Sequence, residues 1–289
     1  LAARRYTGIL NILAIVTGTT HGIGRVTARE LARAGYAVLM LCRDMAAAGV
    51  VREEILREVP GAQINSLRCD LSSLRSVREC AQAVRAGFGT LKLFINNAGM
   101  VSTKHRMSED GFELTFASNH LGPFLLTRLL MDRVEPEGRI INVASRAHFP
   151  GKMDLETVAD PRARYRSMAA YSRSKLANVM FTFALARRLE GTGVSANCLH
   201  PGIVATNLLP RWLQMIKPLL SRVMFDSERG AQTTLYLALS DEVAGSSGHY
   251  FDEHHVVRTA SPIANDLAQQ ESLWRASEVW TGLRTNTAG

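Results

Sequence analysis

The chain has 289 residues, 46% of them hydrophobic and 21% charged, a globular composition with room for a deep core. Its 34 basic and 26 acidic residues leave a formal charge of +8, but the arginines are spread along predicted helices without a dense basic tract or aromatic ladder. This argues against nucleic acid and leaves an anionic cofactor or membrane surface as partner.

No uninterrupted apolar stretch is long enough to span a bilayer. An apolar run over residues 9–16 reads as a first strand, too short and too soon interrupted by glycines for a signal peptide. An amphipathic helix follows over 22–34, then a strand at 36–42, a helix at 45–58, a strand at 62–69, a helix at 73–87 and a strand at 91–96. One or two helices occupy 109–131, a fifth strand 139–145, a long helix 164–190 and a sixth strand 194–199. Such alternation predicts an α/β fold: a doubly wound, Rossmann-type, mostly parallel sheet with helices on both faces. No linker or repeat divides the chain, so residues 1–289 are expected to form one domain. The four cysteines (Cys42, Cys69, Cys80, Cys198) include no Cys-x-x-Cys pair, as expected of buried free thiols in a reducing, cytoplasmic setting.

In such sheets ligands sit beyond the carboxyl ends of the strands, and the chemically useful residues fall there. After strand one comes Thr17-Gly18-Thr19-Thr20-His21-Gly22-Ile23-Gly24. A strand that turns through glycines into a helix brings bare N–H groups and the positive helix end to one point, which suits a pyrophosphate. Gly18 permits the tight turn, Gly22 a close backbone approach, and Gly24 close packing of helix on strand. The spacing is Gly-x3-Gly-x-Gly, not the commoner Gly-x-Gly-x-x-Gly. Arg43 ends strand two where an adenosine ribose would lie; a guanidinium after the small Cys42 suits a 2′-phosphate, with Arg25 as second cation, and favours NADP(H) over NAD(H). Asp44 is expected to pair with a neighbouring arginine. Asp70, after strand three, can accept from an adenine amine or cap the helix that starts near Ser72.

Tyr171 and Lys175 share a helical face, and of the six tyrosines only Tyr171 has lysine four residues on. A phenol near pKa 10 is a poor acid–base catalyst at neutral pH. A cation about 4 Å away at an effective dielectric of ~20 contributes on the order of 4 kcal/mol, about three pKa units, provided the site is partly dry. Ser145 can donate a hydrogen bond to an oxygen that gains negative charge. Asn119, amid Phe116, Leu121, Phe124 and Leu125, is an amide that must find partners: a backbone carbonyl, or a water joining Lys175 to solvent. Six histidines (His120, His148, His200, His249, His254, His255) are candidates for metal but lack convincing ligand spacing, so no metal is expected; Gly-x-Ser-x-Gly, which a serine hydrolase would need, is missing.

Together these residues make the chain resemble the short-chain dehydrogenase/reductase family over nearly its whole length. The motifs are Thr17-Gly18-x3-Gly22-Ile23-Gly24, Asn96-Asn97-Ala98-Gly99, Asn119, Ser145, Tyr171-x3-Lys175 and Pro201-Gly202. Finer features resemble the retinol-dehydrogenase-like branch: Leu41-Cys42-Arg43-Asp44, Asp110-Gly111-Phe112-Glu113, Asn119-His120-Leu121-Gly122-Pro123, Ser174-Lys175-Leu176-Ala177-Asn178, His200-Pro201-Gly202 and Gly248-His249-Tyr250-Phe251. The resemblance implies NADP(H)-linked interconversion of lipophilic carbonyls and alcohols. It implies Tyr171 as acid/base, Lys175 on the nicotinamide ribose, Ser145 orienting the carbonyl and Asn119 in a proton relay. It also implies cofactor contacts from Gly18, Thr20, His21, Gly22, Ile23, Gly24, Arg25, Arg43, Asp70, Leu71, Asn97, Ala98, Gly99, Tyr171, Lys175, Pro201, Gly202, Val204 and Thr206. Two departures stand out: His21 replaces a usually small or polar residue, and Ala144 precedes Ser145 where many relatives have two serines.

Residues 203–228 are apolar with interspersed cations, from Leu208 and Trp212 to Phe225. By the resemblance this segment covers the substrate, such as a steroid, retinoid or long-chain aldehyde; a peripheral membrane contact and a subunit contact are its other readings. Family members commonly pair through the helices bearing Asn119 and Tyr171, so a homodimer or homotetramer is expected. The rival functions are a catalytically idle NADP(H)-binding regulator, which has no need of all four catalytic residues, and a sugar-nucleotide epimerase or dehydratase, for whose larger C-terminal region the chain lacks room.

Overall fold

In the computed structural model, which describes residues 12–160, 163–202 and 226–283, β1 (Leu13–Thr17) and β2 (Ala37–Cys42) are buried at every position. Strands without a polar face need a sheet covered on both sides. Alternation along each strand supplies the two cores. Leu13, Ile15, Leu39 and Leu41 pack with Phe124, Phe181 and Trp274 on one side, while Ala14, Val16, Val38 and Met40 pack with Leu31, Val51, Ile55 and Leu237 on the other.

The first half alternates as expected: α1 (Gly22–Arg33), α2 (Met45–Glu58), β3 (Ile64–Arg68), α3 (Leu74–Gly87) and β4 (Leu91–Asn96). Next come α4 (Leu114–Phe116), α5 (Gly122–Leu130), β5 (Val134–Val143), α6 (Ser167–Arg188) and β6 (Ser195–Leu199). The C-terminal part adds α7 (Ser227–Leu239), β7 (Tyr250–Phe251), β8 (Val257–Arg258), α8 (Pro262–Asn265) and α9 (Leu267–Trp280). The sheet runs β3-β2-β1-β4-β5-β6-β7-β8, parallel except for β8. Strand order reverses between β1 and β4, so the crevice for ligands opens at their carboxyl ends.

Three departures from the sequence expectation bear on the site. β5 begins at Val134, before a bulge in which Glu137 takes φ +63° and the register against β4 shifts; Pro136 and Gly138 in that stretch hide the strand from periodicity. Between α4 and α5 the chain makes a wide π turn (Ala117–Leu121), and such inserted turns often mark functional sites. The fifth strand ends at Val143, so Ser145 stands beyond it. The Asp110-Gly111-Phe112-Glu113 motif is a pair of caps: Asp110 accepts from the Leu74 N–H at the start of α3, and Glu113 from the Thr115 and Phe116 N–H groups of α4.

The last helix lies across α5 and α6. Trp274 packs edge-on to Phe124 at 5.1 Å and against Phe181 at 5.8 Å, with the Arg188 guanidinium 3.9 Å from its ring. Truncating a buried tryptophan costs about 3–5 kcal/mol, which keeps α9 docked.

Candidate active site

The Thr17 hydroxyl accepts the backbone N–H of Asn97 and of Ala98, each at 3.0 Å. Asn97 returns the grip, its side-chain amide donating to the carbonyls of Thr17 at 2.9 Å and Gly18 at 3.2 Å. The ends of β1 and β4 are thus stitched together at the point where the crevice opens. Gly18 and Gly22 have φ of +70° and +61°, a region that only glycine enters freely. Gly24 is needed for space, since a Cβ there would lie 2.3 Å from the Gly18 carbonyl oxygen and 2.4 Å from Asn97 Nδ2. α1 starts at this turn with His21 as its N-cap residue, and no side chain caps it; the imidazole Nδ1 bonds to Thr20 Oγ1 at 3.1 Å instead. The first-turn N–H groups are left for an anion, so the turn fits a dinucleotide pyrophosphate. Ile23 turns its side chain inward onto Val26 and Ala231, leaving its backbone for the ligand.

At the end of β2, Cys42 is buried with Sγ 3.0 Å from Thr19 Oγ1, and burial raises its thiol pKa. Arg43 is exposed and has no hydrogen bond or ion pair among the described residues. Arg25, the expected second cation, bonds Glu54 at 3.0 Å. Asp44 does not pair with an arginine: its carboxylate accepts the Ala47 N–H at 3.0 Å and caps α2. Asp70 accepts from Ser72 N at 3.0 Å and Ser72 Oγ at 2.7 Å, shaping the turn before α3, whose N-cap residue is Ser73. The Leu71 side chain is buried, and Gly122 sits against its carbonyl, where a Cβ would approach to 2.2 Å.

Across the crevice, Lys175 is 3% exposed and donates from Nζ to the Val143 carbonyl at 2.8 Å. Burial lowers its pKa to about 8. Gly99 leaves room for this ammonium, since a Cβ there would stand 3.3 Å from Nζ. The ammonium lies 5.7 Å from the centre of the Tyr171 ring. Burial wins: the Tyr171 pKa is raised, with a hydrogen bond from Ser145 the opposing influence. Ser145 starts the turn after β5, its Oγ accepting from Ala147 N at 3.1 Å.

Asn119 sits in the π turn with its amide engaged: Oδ1 accepts Met100 N at 2.8 Å, and Nδ2 donates to Met100 O at 2.8 Å and Ser174 Oγ at 2.9 Å. Both amide protons are used, leaving one lone pair of Oδ1 for a water. Pro201 and Gly202 (φ +82°) follow β6 at the same edge of the sheet. Val204, Thr206 and the segment 203–225 lie outside the described residues.

A buried ladder escaped the sequence reading. Asn96 Nδ2 donates to Thr127 Oγ1 at 3.0 Å and to Asn142 Oδ1 at 2.8 Å, and Asn142 Nδ2 donates to Thr182 Oγ1 at 2.9 Å. Its signal was present as asparagines at the apolar, buried ends of β4 and β5, where they are register partners. His148 and Ser261 were missed as well; 113 residues separate them, and no local pattern links them.

The model of the family described as short chain dehydrogenase matches residues 13–217. Human retinol dehydrogenase 14 is 41% identical over 290 residues, covering 93% of this chain and 86% of its own. Human retinol dehydrogenase 13 is 39% identical over 279 residues, covering 93% and 84%. Among solved structures, an uncharacterized protein of Mycobacterium paratuberculosis superposes with a TM-score of 0.77 at 34% identity, covering 93% of each chain.

Proposed function

The chain belongs to the short-chain dehydrogenase/reductase family, and within it we propose an NADP(H)-dependent oxidoreductase that interconverts a lipophilic ketone or aldehyde and its alcohol. The observation that carries this reading is the convergence of Tyr171, Ser145 and buried Lys175 on the crevice edge that the uncapped glycine turn also faces. The dinucleotide, when bound, gives or takes the hydride. Its pyrophosphate would lie on the α1 N-terminus and its 2′-phosphate on Arg43, with Asp70, Leu71, Asn97 to Gly99, Pro201 and Gly202 along its length.

In reduction the neutral Tyr171 phenol donates its proton to the carbonyl oxygen as charge gathers there, and in oxidation the phenolate takes it back. Ser145 Oγ accepts from Ala147, so its own hydrogen points toward Tyr171 and can turn to the substrate oxygen as charge gathers there. Lys175 would hold a ribose hydroxyl and lends positive charge to the phenolate. The spare lone pair on Asn119 Oδ1 holds the relay water. Exposed Phe149, on the turn after Ser145, and Met168, one helical turn before Tyr171, are apolar groups near the catalytic residues in sequence, and with the retinol dehydrogenase names of the relatives they support a lipophilic substrate. Residues 203–225 are proposed as substrate cover, with a membrane surface as their other occupant. Four buried free thiols support a reducing, cytoplasmic location.

The test is NADPH oxidation with a panel spanning retinal, decanal, a steroid ketone and glyceraldehyde. Faster turnover of the lipophilic members is expected; preference for glyceraldehyde would remove the lipophilic reading, and NADPH binding without any turnover would favour an idle regulator. Charge-assisted bonds to phosphate contribute about 1.5–3 kcal/mol, so Arg43→Ala is expected to raise the KM for NADPH about 10- to 100-fold. The KM for NADH should barely move, and equal effects on both would refute the 2′-phosphate role.

A further inference from the structure

We propose that His148 is a positioning residue that holds Ser145 at the distance from Tyr171 that proton transfer needs, an inference that rests on the catalytic reading of Ser145. The imidazole is buried and bonded at both ends to backbone. Nδ1 lies 2.7 Å from the Ser145 carbonyl oxygen, and Nε2 accepts the Ser261 N–H at 3.2 Å. An N–H donor at Nε2 makes that nitrogen the acceptor, so the proton sits on Nδ1 and donates to Ser145. The ring is then a fixed neutral strut, with neither nitrogen free to pass a proton.

Its sides are held as well. The His148 ring stands 4.7 Å from that of Tyr250, tilted 67°, and 4.1 Å from that of Phe149. Ser261 caps α8 through Oγ, which accepts Ala264 N at 3.3 Å. His148 therefore joins the serine turn to an anchored C-terminal segment. At the far end of the same turn, Gly151 presses onto α6: a Cβ there would lie 2.8 Å from the Ser172 carbonyl oxygen, next in sequence to Tyr171, and 2.9 Å from the His148 carbonyl oxygen. Gly151 fixes the turn against the helix of the tyrosine, and His148 fixes its serine end from below.

The experiment uses the fastest carbonyl of the panel and follows kcat together with NADPH dissociation by fluorescence titration. Loss of alignment at a reacting centre costs on the order of tenfold to hundredfold in rate, so His148→Ala is expected to lose that much kcat with NADPH affinity unchanged. His148→Asn, which keeps a donor near the Nδ1 position, should recover most of it. In the double variant Ser145→Ala/His148→Ala the loss should equal that of Ser145→Ala alone, because a misplaced hydroxyl that is absent costs nothing. Multiplied losses in the double variant, or an asparagine variant as slow as the alanine one, would overturn the proposal while leaving Ser145 catalytic. If Ser145→Ala keeps full rate, the reading of Ser145 falls and that of His148 falls with it. His148→Phe, which keeps the ring packing, carries the same comparison should the alanine variant fail to bind NADPH.

Discussion

Tyr171→Phe is expected to reduce kcat by about 10³-fold, the range that loss of a positioned acid–base group produces, while NADPH still binds. The phenyl ring can keep its place near the Lys175 ammonium, 5.7 Å from the ring centre in the parent, so the change is confined to one hydroxyl. Steady-state rates and NADPH titration of the two proteins check this, and a variant with full rate would end the mechanism. The pH dependence follows from the raised pKa of the phenol. A group raised by burial stays protonated at neutral pH, the form that serves reduction. The rate of reduction should therefore hold through neutrality and fall as Lys175, lowered to about 8, and then the phenol lose their protons, whereas the rate of oxidation, which needs the phenolate, should rise with pH.

Gly24→Ala is expected to abolish NADPH binding and to destabilise the protein by about 1–3 kcal/mol, the usual cost of overpacking. The added methyl would fall 2.3 Å from the Gly18 carbonyl oxygen and 2.4 Å from Asn97 Nδ2. Neither can retreat easily, because Asn97 is the clasp between β1 and β4. Gly49→Ala is the control: it lies inside α2 with nothing within 4 Å of the new Cβ, and should stabilise by about 0.5–1 kcal/mol through helix propensity. Urea melts and NADPH titration of both variants check the contrast; equal behaviour would mean that the tight approach at Gly24 is unimportant.

Much of the architecture was legible because it rests on local signals. α2 and β4 fall on their predicted residues, one fixed by the Asp44 cap and the other by a short apolar run. Chain ends of this kind announce themselves within a few residues. β7 and β8, two residues each, are too short for any periodicity, and the start of β5 was masked by Pro136 and the Glu137-Gly138 bulge. The π turn is silent for a related reason, since one extra residue leaves the apolar period nearly intact.

Within the site, residue types and spacing pointed to Tyr171, Lys175, Ser145 and Asn119, but not to how they are held. Lys175 finds a strand carbonyl and not merely the phenol, and Asn119 grips both sides of Met100. Asp44 turned out to be a helix cap because a short acidic side chain just before a helix meets an N–H sooner than it meets a guanidinium. Such partners depend on elements brought together only by the completed fold.

The pairing of Asn96 with Asn142 acts as a ruler between two neighbouring strands. β5 enters the sheet through a bulge, so its alignment with β4 has to be set somewhere above that irregularity. If β5 slid by one position, about 3.3 Å, both carboxamides would lose their mates inside the core, at about 1–3 kcal/mol for each orphaned group. The height of Ser145 relative to Asn97 and Gly99 is therefore written into a polar contact that never meets the ligand.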